Sequence, residues 1–291
     1  MKHHRSIKKI LWGQPFNMGG FPIRQPLPTL GVDHIDPFLL LHHARLEVSA
    51  DIPVTEQGVG PHPHRGFSPV TFLFEGGVHH RDSAGNDSCV YGGGVQWMNA
   101  GSGLIHSERP PQDIQERGGV QELIQLWINT PAQYKMDSPL YIPVAAEQMP
   151  VISFKNTSSS IRVVAGELNG VRGAIDPLFP LQAFMGQMET GESYFFPIPN
   201  NQVALLYVLS GKLQLGNNPD QIVADFEAAW MYEDGDGIDV SVLKNARFLL
   251  VTGQPLNEPV ASRGPFVMNN QADLLQAFKD YQSGKMGELV E

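Results

Sequence analysis

Cysteine is nearly absent from this chain: Cys89 stands alone among 291 residues. One thiol cannot close an internal disulfide, which excludes the small stapled folds of secreted domains. No basic residue stands beside it to lower its pKa, so it is read as packing in an apolar strand rather than as a nucleophile. Long apolar runs are also missing. Phe38-Leu39-Leu40-Leu41 is the longest aliphatic stretch near the N-terminus, and nothing approaches the ~18 apolar residues that span a bilayer. The charges between Lys2 and Lys9 have no apolar stretch of leader length behind them, so a secretory signal is not expected. Charge is sparse, 17% of residues, and the balance of −10 repels phosphate backbones. Uninterrupted helical stretches are scarce because 30 glycines and 23 prolines punctuate the chain. These absences exclude a helical bundle, and they point to a cytoplasmic globular protein with no direct nucleic-acid partner and no membrane partner.

What remains is short alternation. Apolar and polar residues alternate over 70–74, 123–128, 182–188 and 203–209, each run ended by Gly, Pro, Asn or Asp, which is the pattern of half-buried antiparallel strands. The fold class is therefore all-β, a sandwich or barrel. A helix is expected only near the end, where Asn269 or Asn270 can cap a segment that places Leu274, Leu275, Phe278 and Tyr281 on one face. The tract Asn156-Thr157-Ser158-Ser159-Ser160 marks a domain boundary, dividing the chain into 1–155 and 156–291. An internal repeat supports this division. Gly77 and Gly211 lie 134 residues apart, as do Gly101-Ser102-Gly103 and Gly235-Asp236-Gly237, while Trp97-Met98 and Trp230-Met231 lie 133 apart. The chain reads as two copies of one small β-barrel.

Histidine is missing from everything after residue 106: all ten lie between His3 and His106. Any imidazole site thus belongs to the first lobe. His62-Pro63-His64 is an i, i+2 pair whose side chains share one face of a strand. A glycine turn, Gly101-Ser102-Gly103, leads into a second such pair, His106 and Glu108. Two pairs on neighbouring strands build a site of three imidazoles and one carboxylate: His62, His64, His106 and Glu108. That donor set suits Fe(II), Mn(II), Ni(II), Cu(II) or Zn(II). Weaker candidates fall away. His79 and His80 are adjacent, so at most one can look inward, and both are placed at the surface near the Gly85-Asn86 turn. Gly92-Gly93-Gly94 lacks the Lys-Ser/Thr of a phosphate loop and is a turn. Residues 233–239 lack a glutamate at the twelfth loop position that calcium would need. Ser102 lacks the glycine spacing of a nucleophile elbow.

These residues carry a resemblance. Asp36-Pro37-Phe38-Leu39-Leu40-Leu41, Pro61-His62-Pro63-His64-Arg65-Gly66-Phe67, Gln96-Trp97-Met98-Asn99-Ala100-Gly101 and Gly103-Leu104-Ile105-His106-Ser107-Glu108 together resemble the pirin family of bicupins. The tail, Pro255-Leu256-Asn257-Glu258-Pro259 and Gly264-Pro265-Phe266-Val267-Met268-Asn269, is similar to the pirin C-terminal segment. The resemblance implies two tandem cupin barrels, each a double-stranded β-helix, with a short C-terminal helix. It also implies one metal, often iron, held by His62, His64, His106 and Glu108, and in several members quercetin 2,3-dioxygenase activity. Two stretches depart from the pattern, Ser68-Pro69 after Phe67 and His42-His43-Ala44-Arg45 after Leu41, so the pocket mouth is expected to differ.

The expected function is accordingly a metal-dependent dioxygenase of quercetin- or flavonol-like substrates that opens a small aromatic molecule with O2. Glu108 would serve both as ligand and as proton acceptor, and Phe72, Phe74, Trp97 and Met98 have the apolar character to hold a flat ring. The alternative is a non-catalytic, metal-dependent redox sensor or regulatory module that binds a protein partner, which other pirins resemble. The 134-residue offset carries His62, His64, His106 and Glu108 onto Phe196, Ile198, Val240 and Val242, so the second lobe is expected to hold no metal.

Overall fold

In a computed structural model, residues 3–18 and 20–290 are described. The architecture is all-β, with one long helix at the C-terminal end. Among the described residues no helix is long and apolar enough to cross a membrane. The chain sorts into two compact units, one of residues 17–23, 38–147 and 256–291, the other of 1–16, 24–37 and 148–255. The chain passes from one unit to the other near the expected boundary, but its ends are exchanged. The last 36 residues group with the first barrel and the first 16 with the second, so a division into 1–155 and 156–291 does not describe the units. The exchange follows from pairing: Ile7–Trp12 completes a sheet edge against Glu227–Met231.

The histidine-bearing unit is built of two facing sheets. The larger, seven-stranded sheet has the order Leu140–Val144, Val95–Asn99, Phe67–Glu75, Gly119–Asn129, Phe38–Val48, Phe21–Leu27, Gln14–Met18. The smaller has the order Val59–His64, Leu104–Arg109, Gly77–Asp82, Asp87–Tyr91. The alternation seen in the sequence becomes an inner face and an outer face. Two devices fasten the C-terminal segment to this unit. The buried Lys135 ammonium donates to the carbonyls of Gly66 and Val267 and to Asn129 Oδ1, and burial brings its pKa down to about 8. Gly66 has φ +82°, and a Cβ there would stand 2.0 Å from the Val267 carbonyl oxygen, so only glycine permits this approach.

The helix spans Gln271–Gln282, and Asn270 caps it by accepting from the Asp273 N–H. Its buried face differs from the expected one. Leu274 and Ala277 are buried, whereas Leu275 and Tyr281 are exposed. The third buried position is Asp280, whose carboxylate accepts from the buried Arg65 guanidinium at 2.9 Å. An apolar count over one helical face could not anticipate that an ion pair takes part of the seam.

The second unit wraps the 17-residue strand Gly237–Gly253 through its sheet: one edge pairs with Ser193–Pro197 at its start and Leu181–Met188 at its end, and Val203–Leu215 pairs along most of its length. Phe196, Ile198, Val240 and Val242, the positions that the 134-residue offset assigns to the four proposed ligands, are all buried within one apolar cluster; the register is not the same in detail, since His106 pairs with His62 but Val240 pairs with Tyr194 and Phe196 with Ile238. The barrel interior is filled by packing.

Candidate metal centre

Three i, i+2 pairs line the inner face of the small sheet. The middle strand, Leu104–Arg109, sets His106 opposite His62 on one neighbour and Asp82 on the other, and sets Glu108 opposite His80. His62 with His64, His106 with Glu108, and His80 with Asp82 therefore share one face. The rings of His62, His64 and His106 converge, with centroids 4.3 Å apart for His62 and His106, 4.7 Å for His62 and His64, and 5.0 Å for His64 and His106. Their ligand atoms lie within 4.8 Å of one another.

Hydrogen bonds settle which nitrogens face inward. His62 Nδ1 is 2.8 Å from the Gly60 carbonyl and His64 Nδ1 is 3.4 Å from the Pro265 carbonyl. A carbonyl only accepts, so both rings carry the proton on Nδ1 and keep a lone pair on Nε2. Nε2 of His64 and of His106 are buried without a hydrogen-bond partner. A buried polar atom left unpaired is costly, and a divalent cation is the partner that a converging set of lone pairs fits. Burial, reinforced by the neighbouring imidazoles, holds His64 and His106 well below the ordinary histidine pKa, so both rings are in the neutral, ligating form at pH 7.

Glu108 lies on the wall of the same cavity, beside the three-histidine group rather than within it. Its Oε1 accepts from Thr71 Oγ1 at 3.0 Å and its Oε2 from Gln125 Nε2 at 2.7 Å. The Trp127 indole N–H donates to Gln125 Oε1 at 3.2 Å, which orients the amide so that its NH2 faces the carboxylate. Thr71, Gln125 and Trp127 were not singled out by sequence reasoning. Their side chains come from the opposite sheet, and only closure of the barrel brings them to Glu108.

The cavity encloses about 240 Å³ and is walled mainly by apolar side chains, among them Phe21, Leu46, Val59 and Leu123. Of the aromatic and Met side chains considered from the sequence, most are read as barrel core rather than pocket wall. Phe72, Trp97 and Met98 are buried core, and neither they nor Phe74 lines the cavity. His42, one of the departures from the family pattern, does line it, and burial brings its pKa down to about 4. A neutral imidazole thus stands in the wall.

The surface placement of both His79 and His80 is half right. His79 faces outward and bonds Asp87 at 2.6 Å. His80 points inward, buried, with Nε2 2.9 Å from Asp82 Oδ2 and Nδ1 3.4 Å from His106 Nδ1. The sequence signal for an inward His80 is its i, i+2 spacing to Asp82, which sits beside the turn that suggests a surface position. Cys89 is exposed rather than packed inside. Desolvation of its sulfur, aided by Asp113 and Asp87, pushes the thiol pKa up, which is unfavourable to a nucleophile.

Antiparallel β-barrels in tandem, the first with imidazoles converging from the inner face of one sheet, define the chain as a bicupin. It belongs to the pirin family: residues 20–128 match the pirin domain and 184–287 the pirin C-terminal cupin domain. A relative in Pseudomonas aeruginosa, named "Putative quercetin 2,3-dioxygenase", is 35% identical over 91% of this chain and 92% of its own. A pirin-like protein of Solanum lycopersicum is 33% identical over 97% and 92%. The crystal structure of a quercetin 2,3-dioxygenase from Acinetobacter baumannii is similar with a TM-score of 0.89 and 34% identity, covering 99% of this chain and all of that one.

Proposed function

We propose that this protein is a metal-dependent dioxygenase of flavonol-like substrates, with His62, His64, His106 and Glu108 as metal ligands and iron as the first choice of metal. The observation that carries this reading is the meeting of bare Nε2 atoms with a mostly apolar cavity that also holds a carboxylate. A bound redox-capable ion would supply the electronic coupling between an aromatic hydroxyl and O2. The chain's own residues do the rest. The apolar wall takes a flat ring out of water; Leu123 and Trp127 line it, and the Trp127 ring lies 5.4 Å from His64. Glu108 accepts the substrate's hydroxyl proton at a carboxylate oxygen now engaged by Thr71 or Gln125. Those two donors return to it when the proton leaves.

The names of the Pseudomonas and Acinetobacter proteins support the choice of substrate class. The test is O2 consumption with a panel of flavonols by protein of measured iron content. Uptake that depends on substrate and disappears in His62→Ala is the expected result. No uptake with any flavonol by iron-loaded protein would overturn the proposal, and metal-dependent capture of a protein partner would then favour a regulatory module.

A further inference from the structure

Two of the three clustered histidines have their tautomer set by a carbonyl. The third does not. His106 Nδ1 faces His80 Nδ1 at 3.4 Å, and an imidazole nitrogen can donate or accept. At that distance the two facing nitrogens share one proton, so the pair has two arrangements. In one, His106 holds the proton on Nδ1 and its Nε2 is bare; in the other, His106 is protonated on Nε2 and cannot ligate.

The far side of His80 decides between them. Its Nε2 meets Asp82 Oδ2 at 2.9 Å. The carboxylate is itself pinned: Oδ1 accepts from the backbone N–H groups of Ala84 and Asn86, and Oδ2 also accepts from the Asn86 amide. As an acceptor it draws the His80 proton to Nε2. His80 Nδ1 is then a lone pair, and His106 must donate to it. Tyr141 lies flat on the His80 ring, 3.8 Å away and 6° from parallel, and its hydroxyl is anchored to Gln96 at 2.9 Å, so the ring is held in its plane.

We propose that Asp82 and His80 are positioning residues that set the tautomer of His106 and keep its Nε2 bare toward His62 and His64. The value of this arrangement for metal binding rests on the reading of the three histidines as ligands; the tautomer itself does not.

The test uses the full chain without metal, labelled with 15N in its histidine rings, so that long-range 1H–15N correlations report the protonated nitrogen of each ring. In the wild type His106 is expected as Nδ1–H and His80 as Nε2–H. Asp82→Asn keeps an oxygen for the backbone N–H groups and turns an amide N–H toward His80. It should invert both tautomers and weaken Zn(II) binding, measured by chelator competition, by about 10- to 100-fold, the cost typical of lost partners behind a ligand. His80→Asn places an amide oxygen close to where Nδ1 stood and should keep His106 as Nδ1–H with near wild-type Zn(II) affinity. An unchanged His106 tautomer in Asp82→Asn overturns the proposal. If that variant does not fold, His80→Phe retains the stack on Tyr141 without any acceptor, and a His106 ring still wholly Nδ1–H there overturns it equally. A wild type that shows the expected tautomers but binds no Zn(II) would sink the metal reading and leave the tautomer assignment standing.

Discussion

At the scale of single residues, the site depends on where protons sit. Glu108→Gln is expected to weaken metal binding moderately and nearly abolish turnover, because an amide oxygen can still ligate but the group no longer accepts a proton at neutral pH. Iron analysis beside initial rates checks this, and full activity would remove Glu108 from the mechanism. The buried histidines also impose a pH dependence on stability. His64 and His106 are held well below the ordinary value and His42 at about 4. As pH falls below ~6.5 the unfolded chain binds protons that the folded chain refuses, so each such group removes up to about 1.4 kcal/mol of stability per pH unit. Urea unfolding of the metal-free protein should show the midpoint falling between pH 6.5 and pH 5, above the range where carboxylates titrate. A flat profile there would contradict the burial of these rings. The same depression of His64 and His106 predicts that an ion loaded onto them would stay bound at pH ~6.5 and be released only under more acidic conditions, which metal analysis after dialysis would check.

At the scale of elements, the strand pair that carries His106 and His64 is locked from behind by the C-terminal segment. Arg65, next in sequence to His64, donates to Asp280 on the helix and to the Ser102 carbonyl in the turn before His106. Asp280→Ala leaves a buried guanidinium without its counter-charge, and a loss of roughly 3 kcal/mol is expected by denaturant titration. Hydrogen bonds from Lys285 and Arg65 hold the Asp280 carboxyl well below the usual carboxylate range. Its contribution is therefore full at neutral pH and is lost as pH drops through and below the ordinary carboxylate range. A neutral Asp280→Ala variant would show that the helix is held by Leu274 and Ala277 alone.

At the scale of the whole molecule, two barrels of one ancestry differ in what fills them. The first keeps polar pairs and a cavity, whereas the second places Phe196, Ile198, Val240 and Val242 in a closed apolar cluster. Elemental analysis should find one tightly bound transition metal per chain. Val240→Asp should cost several kcal/mol, on the order of 3 to 5, by burying an unpaired carboxylate, without changing the metal content of whatever protein folds. Two tightly bound ions per chain, or a well-tolerated Val240→Asp, would contradict the correspondence between the lobes.

Much of this was legible in one dimension. Strand alternation has a period of two, so His62-Pro63-His64 and His106-Ser107-Glu108 declared their faces without a structure, and the recurrence of Gly and Trp landmarks declared the repeat. The sequence by itself thus determined the all-β class and the two strand pairs that carry the clustered imidazoles, whereas His3, His4 and His34, earlier in the chain, fall in the other unit. Tertiary structure alone decided the remainder. Thr71 and Gln125 reach Glu108 across the barrel with Trp127 bonded behind Gln125, and Pro265 reaches His64 from the far end of the chain. None of these contacts leaves a local trace, because periodicity records which face a side chain takes and is silent on which distant strand that face will meet.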